Sequence, residues 1–264
     1  MLVQFHGADC ASRYSASSVF YQLLAVTLDI SRIRAITLDL DDTLWPVWPT
    51  IGRAEAALQT WLAEHAPATH TLHSQSDVRR ELREHIQRQH PEWAHDFSAL
   101  RRGMIAAALT RAGDDPALAD AAFEVFFAER QRVDLFADAL PALEYLSRRY
   151  PIVALSNGNA DVGLVGVGRY FHASVSARDV GAAKPDARIF QRGAQAAGVA
   201  PEQVLHIGDD AHLDGVGALE VGMQMAWVNR EGHAWPPALH NLHTPHITVT
   251  ELGALCARLG QDGP

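Results

Sequence analysis

Cysteine is nearly absent. The chain has two in 264 residues, Cys10 and Cys256, far apart and in no metal-binding spacing. Two isolated thiols argue against a disulfide framework and fit a reducing compartment. Long apolar runs are also missing, and none approaches the ~20 residues of a membrane span. The first residues lack the basic start of a secretion signal. Met1 to Ala16 includes Asp9, and the apolar stretch from Val19 to Val26 is short and interrupted. No leader is read there, and a cytoplasmic protein is expected. Positive charge is scarce as well: 22 basic residues stand against 31 acidic ones, for a net charge of -9. That balance argues against a nucleic-acid partner, which would need clustered Lys and Arg. It leaves room for a small anionic substrate at a locally positive site. There is no internal repeat and no low-complexity tract, and nothing in the sequence sets the oligomeric state, so a monomer remains open.

What is present is a globular composition, 48% hydrophobic, enough for a sizeable core. Five short apolar runs read as buried strands: Ala35–Asp39, Ile152–Ser156, Val204–Gly208, Met225–Val228 and His246–Val249. Helical patterns lie between several of them. Ala187 to Ala197 stops at Gly198, and Val216 to Val221 stops at Gly222. Alternating strands and helices predict an α/β fold with a parallel sheet. From about Pro49 to Leu140 the alternation ends, leaving helical patterns around Arg79–Gln89, Met104–Leu109 and Ala117–Phe127. The expected organisation is an N-terminal extension over 1–30, weakly ordered or a misassigned start, then a core formed by 31–48 and 140–264. An all-helical insertion over 49–139 interrupts that core.

Four segments carry chemistry-bearing residues. Asp39-Leu-Asp41-Asp42-Thr43 follows the first strand directly. Three carboxylates in four residues raise one another's pKa unless a cation sits among them, and a hard ion such as Mg²⁺ suits oxygen ligands. An acidic turn after a strand is the plain alternative. Ser156-Asn157-Gly158-Asn159 offers a hydroxyl and loop amides to phosphate oxygens, or is ordinary turn chemistry. In Lys184-Pro185-Asp186 the proline favours an extended backbone at Lys184, so the ammonium projects from a loop, into a site or into solvent. Gly208-Asp209-Asp210-Ala-His-Leu-Asp214 again sets carboxylates after a strand. Asp210 fits a helix N-cap there, and Asp209 and Asp214 are less easily explained so. Asp39, Ser156 and Asp209 all stand at strand carboxyl ends, where doubly wound sheets bind ligands, and the set suits phosphoryl transfer.

The order Asp-x-Asp-x-Thr, apolar-Ser-Asn, Lys-Pro and Gly-Asp-Asp resembles the haloacid dehalogenase superfamily from about Ile33 onward. The helical insertion resembles that superfamily's C1-type cap, which implies a Rossmann-like core under a helical lid. Asp39 to Trp45, Ser156-Asn-Gly-Asn-Ala160, Val167-Gly-Arg-Tyr-Phe171, His206 to Asp210 and His95 to Arg101 resemble the bacterial flavin mononucleotide and ribitylaminouracil phosphate phosphatases. The resemblance implies these roles: Asp39 as nucleophile, Asp41 as acid/base, Ser156 and Asn157 on phosphoryl oxygens, and Lys184 as charge compensation. It also implies a Mg²⁺ site of Asp39, Asp209 and the Asp41 carbonyl, with Thr43, Asp210 and Asp214 orienting it from behind. Arg101 on the cap is expected to reach the mouth of the site and help select a small phosphorylated metabolite. The alternatives kept are a phosphomutase, a haloalkanoate dehalogenase and a non-catalytic phosphate-binding regulator. His206 is expected to be a satisfied core residue. Trp45 and Trp48 are expected to pack the hinge, with stacking on an aromatic substrate as the alternative kept open.

Overall fold

Ala35–Leu38 is four consecutive buried residues, with no exposed face, and forms β1 at the centre of the sheet. A strand buried on both sides needs neighbours on both edges and helices on both faces. The computed structural model, which describes residues 27–239 and 243–261, supplies both. β1 pairs in parallel with β2 (Ile152–Ser156) on one side and β4 (Val204–Gly208) on the other. β3 (Ala173–Ser176) lies outside β2, and β5 (Gln224–Val228) and β6 (Ile247–Val249) extend the other edge. The order is β3-β2-β1-β4-β5-β6. The chain runs outward from β1 to β3 and then crosses back to β4, so the strand order reverses beside β1.

The sequence pattern led to five strands, and the described residues form six. The missing one, β3, reads Ala-Ser-Val-Ser and is mostly half-exposed at the sheet edge. An edge strand with small polar residues has no apolar run to betray it.

Five helices follow β1: α1 (Val47–His65), α2 (Pro67–His73), α3 (Ser76–Gln89), α4 (Phe97–Ala112) and α5 (Ala119–Arg130). They hold no strand and have their own apolar interior, in which Leu58 and Leu62 of α1 meet Ile105 and Leu109 of α4 and Phe123 and Phe126 of α5. Asp96 caps α4 by accepting from the Ala99 amide at 2.9 Å, and Gly113 ends it in the left-handed region. The chain then returns through α6 (Ala139–Ser147) to β2. The short α7 (Val162–Val165) and α8 (Ala177–Val180) flank β3, and α9 (Ala187–Ala196), α10 (Gly217–Glu220) and α11 (Leu252–Gln261) complete the layers. One sheet face buries α6 and α11 through residues such as Leu143, Leu146 and Leu255, and the other buries α9 through Ile189 and Phe190.

Of the expected N-terminal extension, residues 1–26, with Cys10, lie outside the described residues. Leu28 is buried, and the Asp29 main chain exchanges hydrogen bonds with the Gln224 side chain at 2.7 and 2.9 Å. Cys256 is free and buried, and burial pushes its thiol up to about 11. No helix among the described residues is long and apolar enough to cross a membrane.

Candidate active site

The chain leaves β1 at Asp39 and must turn within a few residues to enter α1. Asp42 makes the turn in the left-handed region at φ 57°, which Asp tolerates better than most residues. Its amide donates to the Trp45 carbonyl at 2.7 Å, and its carboxylate accepts from the Val47 amide at 2.9 Å, fixing the start of α1. Thr43, fully buried, bridges two strand ends: its hydroxyl lies 3.0 Å from Asp209 and 3.5 Å from Asp39.

Lys184 stands opposite. It is the sole lysine of the chain, every other basic residue being arginine. Its ammonium is buried, contacts Asp39 Oδ1 directly and donates to Asp214 Oδ1 at 2.6 Å. The Asn157 side chain clamps the Lys184 main chain from both sides, donating to its carbonyl at 3.0 Å and accepting from its amide at 2.7 Å. The Asn157 side-chain amide is therefore spent on holding the lysine. Asp214 is tied three ways: its Oδ1 also meets His206 Nε2 at 3.1 Å, and its Oδ2 accepts from the Asp210 amide at 3.0 Å. His206 in turn meets the Thr37 hydroxyl at 2.9 Å through Nδ1, so it is satisfied on both nitrogens as expected of a core residue. Gly208 lets Asp214 reach this position, because a side chain there would collide with the Asp214 carboxyl. Asp210 caps the π-helical turn Ala211–Val216 by accepting from the His212 and Leu213 amides, both at 2.8 Å.

The electrostatics follow from two buried carboxylates, Asp39 and Asp214, and a half-buried one, Asp209, against one ammonium. Burial works to raise Asp214, but Lys184 and His206 outweigh it and hold it below the usual carboxylate range. Burial works against the Lys184 ammonium, but Asp214 and Asp39 keep it charged and above its ordinary value. The lysine is thus shared, and Asp39 is compensated only in part. Burial pushes Asp39 upward, Lys184 pulls it back, and Asp214 and Asp209 push it up again. Asp209 is raised to about 7, first by burial and then by Asp214. One oxygen from each of Asp39, Asp209 and Asp214 can be chosen so that all three lie within 4.8 Å of one another. Under-compensated carboxylate oxygens at this spacing suit a hard divalent cation such as Mg²⁺. Asp214 has both oxygens engaged, which leaves Asp39 and Asp209 as the freer donors.

Ser156 ends β2 with its hydroxyl accepting from the Gly158 amide at 2.9 Å, beside the cluster. Asp41 is held by a residue that sequence reasoning did not single out. Arg130, the last residue of α5, is 1% exposed and donates from Nη2 to both Asp41 oxygens, at 2.7 and 2.6 Å. The Trp45 indole donates to Asp41 Oδ1 at 2.8 Å. Arg130 has no local signature: in sequence it is one more arginine at a helix end, and only the fold brings it to Asp41. Lys184 did carry a signal that went unread, its uniqueness as a lysine.

Asp39, Asp41, Arg130, Ser156, Lys184 and Asp209 line a cleft of about 390 Å³ between the strand ends and the insertion. Its far wall is largely apolar, with Ile51, Leu100, Met104 and Phe126. Trp48, expected to pack the hinge, is instead 75% exposed on the rim, whereas Trp45 is fully buried. Arg101 lines the cleft as expected, yet its guanidinium contacts Glu55 directly and stacks 4.1 Å above the Phe126 ring. Arg83 and Gln87 of α3 also line it, and Arg83 makes no side-chain hydrogen bond or ion pair among the described residues.

The carboxylate–ammonium cluster lies at the carboxyl edge of a parallel sheet, beside the point where the strand order reverses, and its oxygens are spaced to suit a hard cation. The family model of haloacid dehalogenase-like hydrolases matches residues 33–222, and the chain belongs to that family. A 5-amino-6-(5-phospho-D-ribitylamino)uracil phosphatase of Escherichia coli (strain K12) is 32% identical over 231 residues, covering 86% of this chain and 96% of its own. A phosphoserine phosphatase of Thermus thermophilus is 37% identical over 144 residues, 52% of this chain and 57% of its own. A solved structure named as a 2-haloacid dehalogenase from Pseudomonas syringae pv. Tomato is 36% identical with a TM-score of 0.81, covering 88% of this chain and 100% of its own. Within the family, the curated relatives make this chain a phosphoric monoester hydrolase.

Proposed function

We propose that this enzyme hydrolyses a small phosphate monoester in two steps through an aspartyl-phosphate on Asp39, with Mg²⁺ held by Asp39, Asp209 and the Asp41 main-chain carbonyl. The observation that carries it is the pairing of a cleft-facing Asp39, partly compensated by Lys184, with a second cleft-facing carboxylate, Asp41. In the first step an Asp39 oxygen attacks phosphorus, the bond to the leaving oxygen breaks, and Asp41 gives that oxygen a proton. In the second, water attacks phosphorus, Asp41 takes its proton, and inorganic phosphate leaves as Asp39 is regenerated. Lys184, the Ser156 hydroxyl and the Asn157 main-chain amide hold the phosphoryl oxygens against the charge that develops. When bound, Mg²⁺ supplies the further positive charge that lets a carboxylate approach an anionic phosphoryl group. Thr43, Asp210 and Asp214 fix the acidic groups from behind.

Dehalogenation is the reading that the Pseudomonas syringae structure's name favours. That chemistry calls for an attacking carboxylate but for no proton to the departing halide and no hard-cation site. Asp41 and the Asp209 cluster, both at the cleft, favour a phosphate ester.

The leaving group is proposed to be large and flat, as in flavin mononucleotide or the ribitylaminouracil phosphate named for the Escherichia coli relative. The support is the apolar wall with Trp48 and Phe97 exposed at its rim, area that a flat ring would cover. A panel of phosphorylated metabolites and haloalkanoates, assayed with Mg²⁺ and with chelator, tests the reading. Release of phosphate that needs Mg²⁺, fastest on a ring-bearing ester, is expected. Halide release that survives chelator would overturn it, and phosphate returned to a sugar product would indicate a phosphomutase.

A further inference from the structure

Both connections between the sheet and the helical insertion end on one side chain. On the way in, the turn after β1 carries Asp41 and Trp45, and the Trp45 indole donates back to Asp41. On the way out, α5 ends at Arg130, whose Nη2 bonds both Asp41 oxygens. The next residue, Gln131, ties the same helix end to the loop after β2. Its side chain donates to the Asn159 carbonyl at 3.3 Å and accepts from the Asp161 amide at 2.8 Å. That loop presses on the ion pair from the third side. A methyl group added at Gly158 would stand 2.6 Å from Asp41 Oδ2 and 3.4 Å from Arg130 Nη2.

The pair is not built like one that only holds a fold together. A structural Arg–carboxylate pair usually faces its two forks in parallel, two nitrogens on two oxygens. Here a single nitrogen serves both oxygens, and Nη1 is buried with no partner. Arg130 also lines the cleft. An ion pair confined to stability would gain from using the second donor, because an unpaired buried donor is a cost.

We propose that Arg130 is the positioning residue through which the cap sets the Asp41 carboxylate at the cleft. With the arginine in place, Asp41 has one orientation, fixed by α5 on one side and Trp45 on the other. The insertion thereby has a direct mechanical link to the proton-transfer group. The proposal rests on the acid/base reading of Asp41.

The test compares an alkyl phosphate with para-nitrophenyl phosphate, whose leaving group needs little protonation, in Arg130→Met, Arg130→Lys, Asp41→Asn and the double variant Asp41→Asn/Arg130→Met. Arg130→Met should lower kcat about 100-fold on the alkyl ester and about tenfold less on the aryl ester, the size expected for spoiled general-acid catalysis. Arg130→Lys should recover part of the alkyl activity. In the Asp41→Asn background, adding Arg130→Met should change little, because the group it positions is gone. Equal losses on both esters, or full additivity in the double variant, would overturn the proposal. If Arg130→Met does not fold, Arg130→Lys carries the same comparison, since it keeps the charge and moves the donor. If Asp41→Asn itself shows no leaving-group dependence, the acid/base reading has failed and takes this proposal with it. If Asp41→Asn shows the dependence and the Arg130 variants do not, only the role of Arg130 has failed.

Discussion

The two walls of the cleft use charge in opposite ways. On the sheet side, Lys184, Asp39, Asp214 and His206 are buried together beside the half-buried Asp209, and each charge is set by its neighbours. On the insertion side the wall is apolar, and two of its three arginines are committed, Arg130 to Asp41 and Arg101 to Glu55. Among the described residues, only Arg83 is left without a partner there. The difference teaches a division of labour. Strand ends hold groups that must not move, because a buried carboxylate shifted from its counter-charge is costly. Apart from Arg130, the helical wall can vary its side chains without disturbing that balance, which under the proposed function makes it the place to read the leaving group.

The largest way to break this comparison is Lys184→Met. It leaves Asp39 and Asp214 buried around a hydrocarbon, and destabilisation of about 3–5 kcal/mol is expected, with activity lost. Urea unfolding of the variant checks it, and near-normal stability would deny that the cluster is interdependent. Next in size is Asp209→Ala. It removes one of the two freer carboxylates, so half-saturation should need roughly 100-fold more Mg²⁺, read by calorimetric titration. Unchanged binding would move the ion elsewhere.

The pH response sharpens the contrast, because a titrating group sits inside the cap. His73, the last residue of α2, is buried, with Nδ1 on the Gln59 side chain of α1 and Nε2 without a partner among the described residues. Burial holds it down to about 4, below its ordinary 6.5. The unfolded chain therefore binds a proton that the folded cap refuses, between about pH 6.5 and 4. Stability should fall as pH drops through that window, by on the order of 2 kcal/mol, and His73→Gln should flatten the profile there. A melting temperature with the same slope in both proteins would contradict this. The smallest effect separates the cap arginines. Arg83→Ala should raise KM about threefold to tenfold for a ring-bearing ester and leave a small aryl phosphate untouched. Arg101→Ala should affect both esters alike, because its charge is already spent on Glu55.

Much of the sheet side was legible because its chemistry is local. Asp39, Asp41 and Thr43 share one turn, and Asp209, Asp210 and Asp214 share another, so spacing alone grouped them. The parallel sheet was legible from β1, β2, β4 and β5, which are mostly apolar and buried at every position, whereas β3 was hidden by its half-exposed edge position. The insertion was legible as helices but not as a wall. Arg130 and Asp41 are 89 positions apart and meet only in the fold. Trp48 looked like packing material because an apolar residue near a hinge usually is, and its exposure follows from the cleft beneath it. Arg101 read correctly as a cleft residue, while Glu55, 46 positions away and about two turns into α1, gave no sign of being its partner.

The covalent step is the centre of the account. Acid-quenched single turnover with the preferred ester and Mg²⁺, followed by peptide mass mapping, reads it directly. The account predicts one phosphoryl group on the peptide that contains Asp39, at a level that rises and decays with turnover, and none in a folded Asp39→Asn variant, whose turnover should fall on the order of 10⁴-fold. Full turnover with no phosphate on Asp39, or comparable turnover by Asp39→Asn, would contradict it.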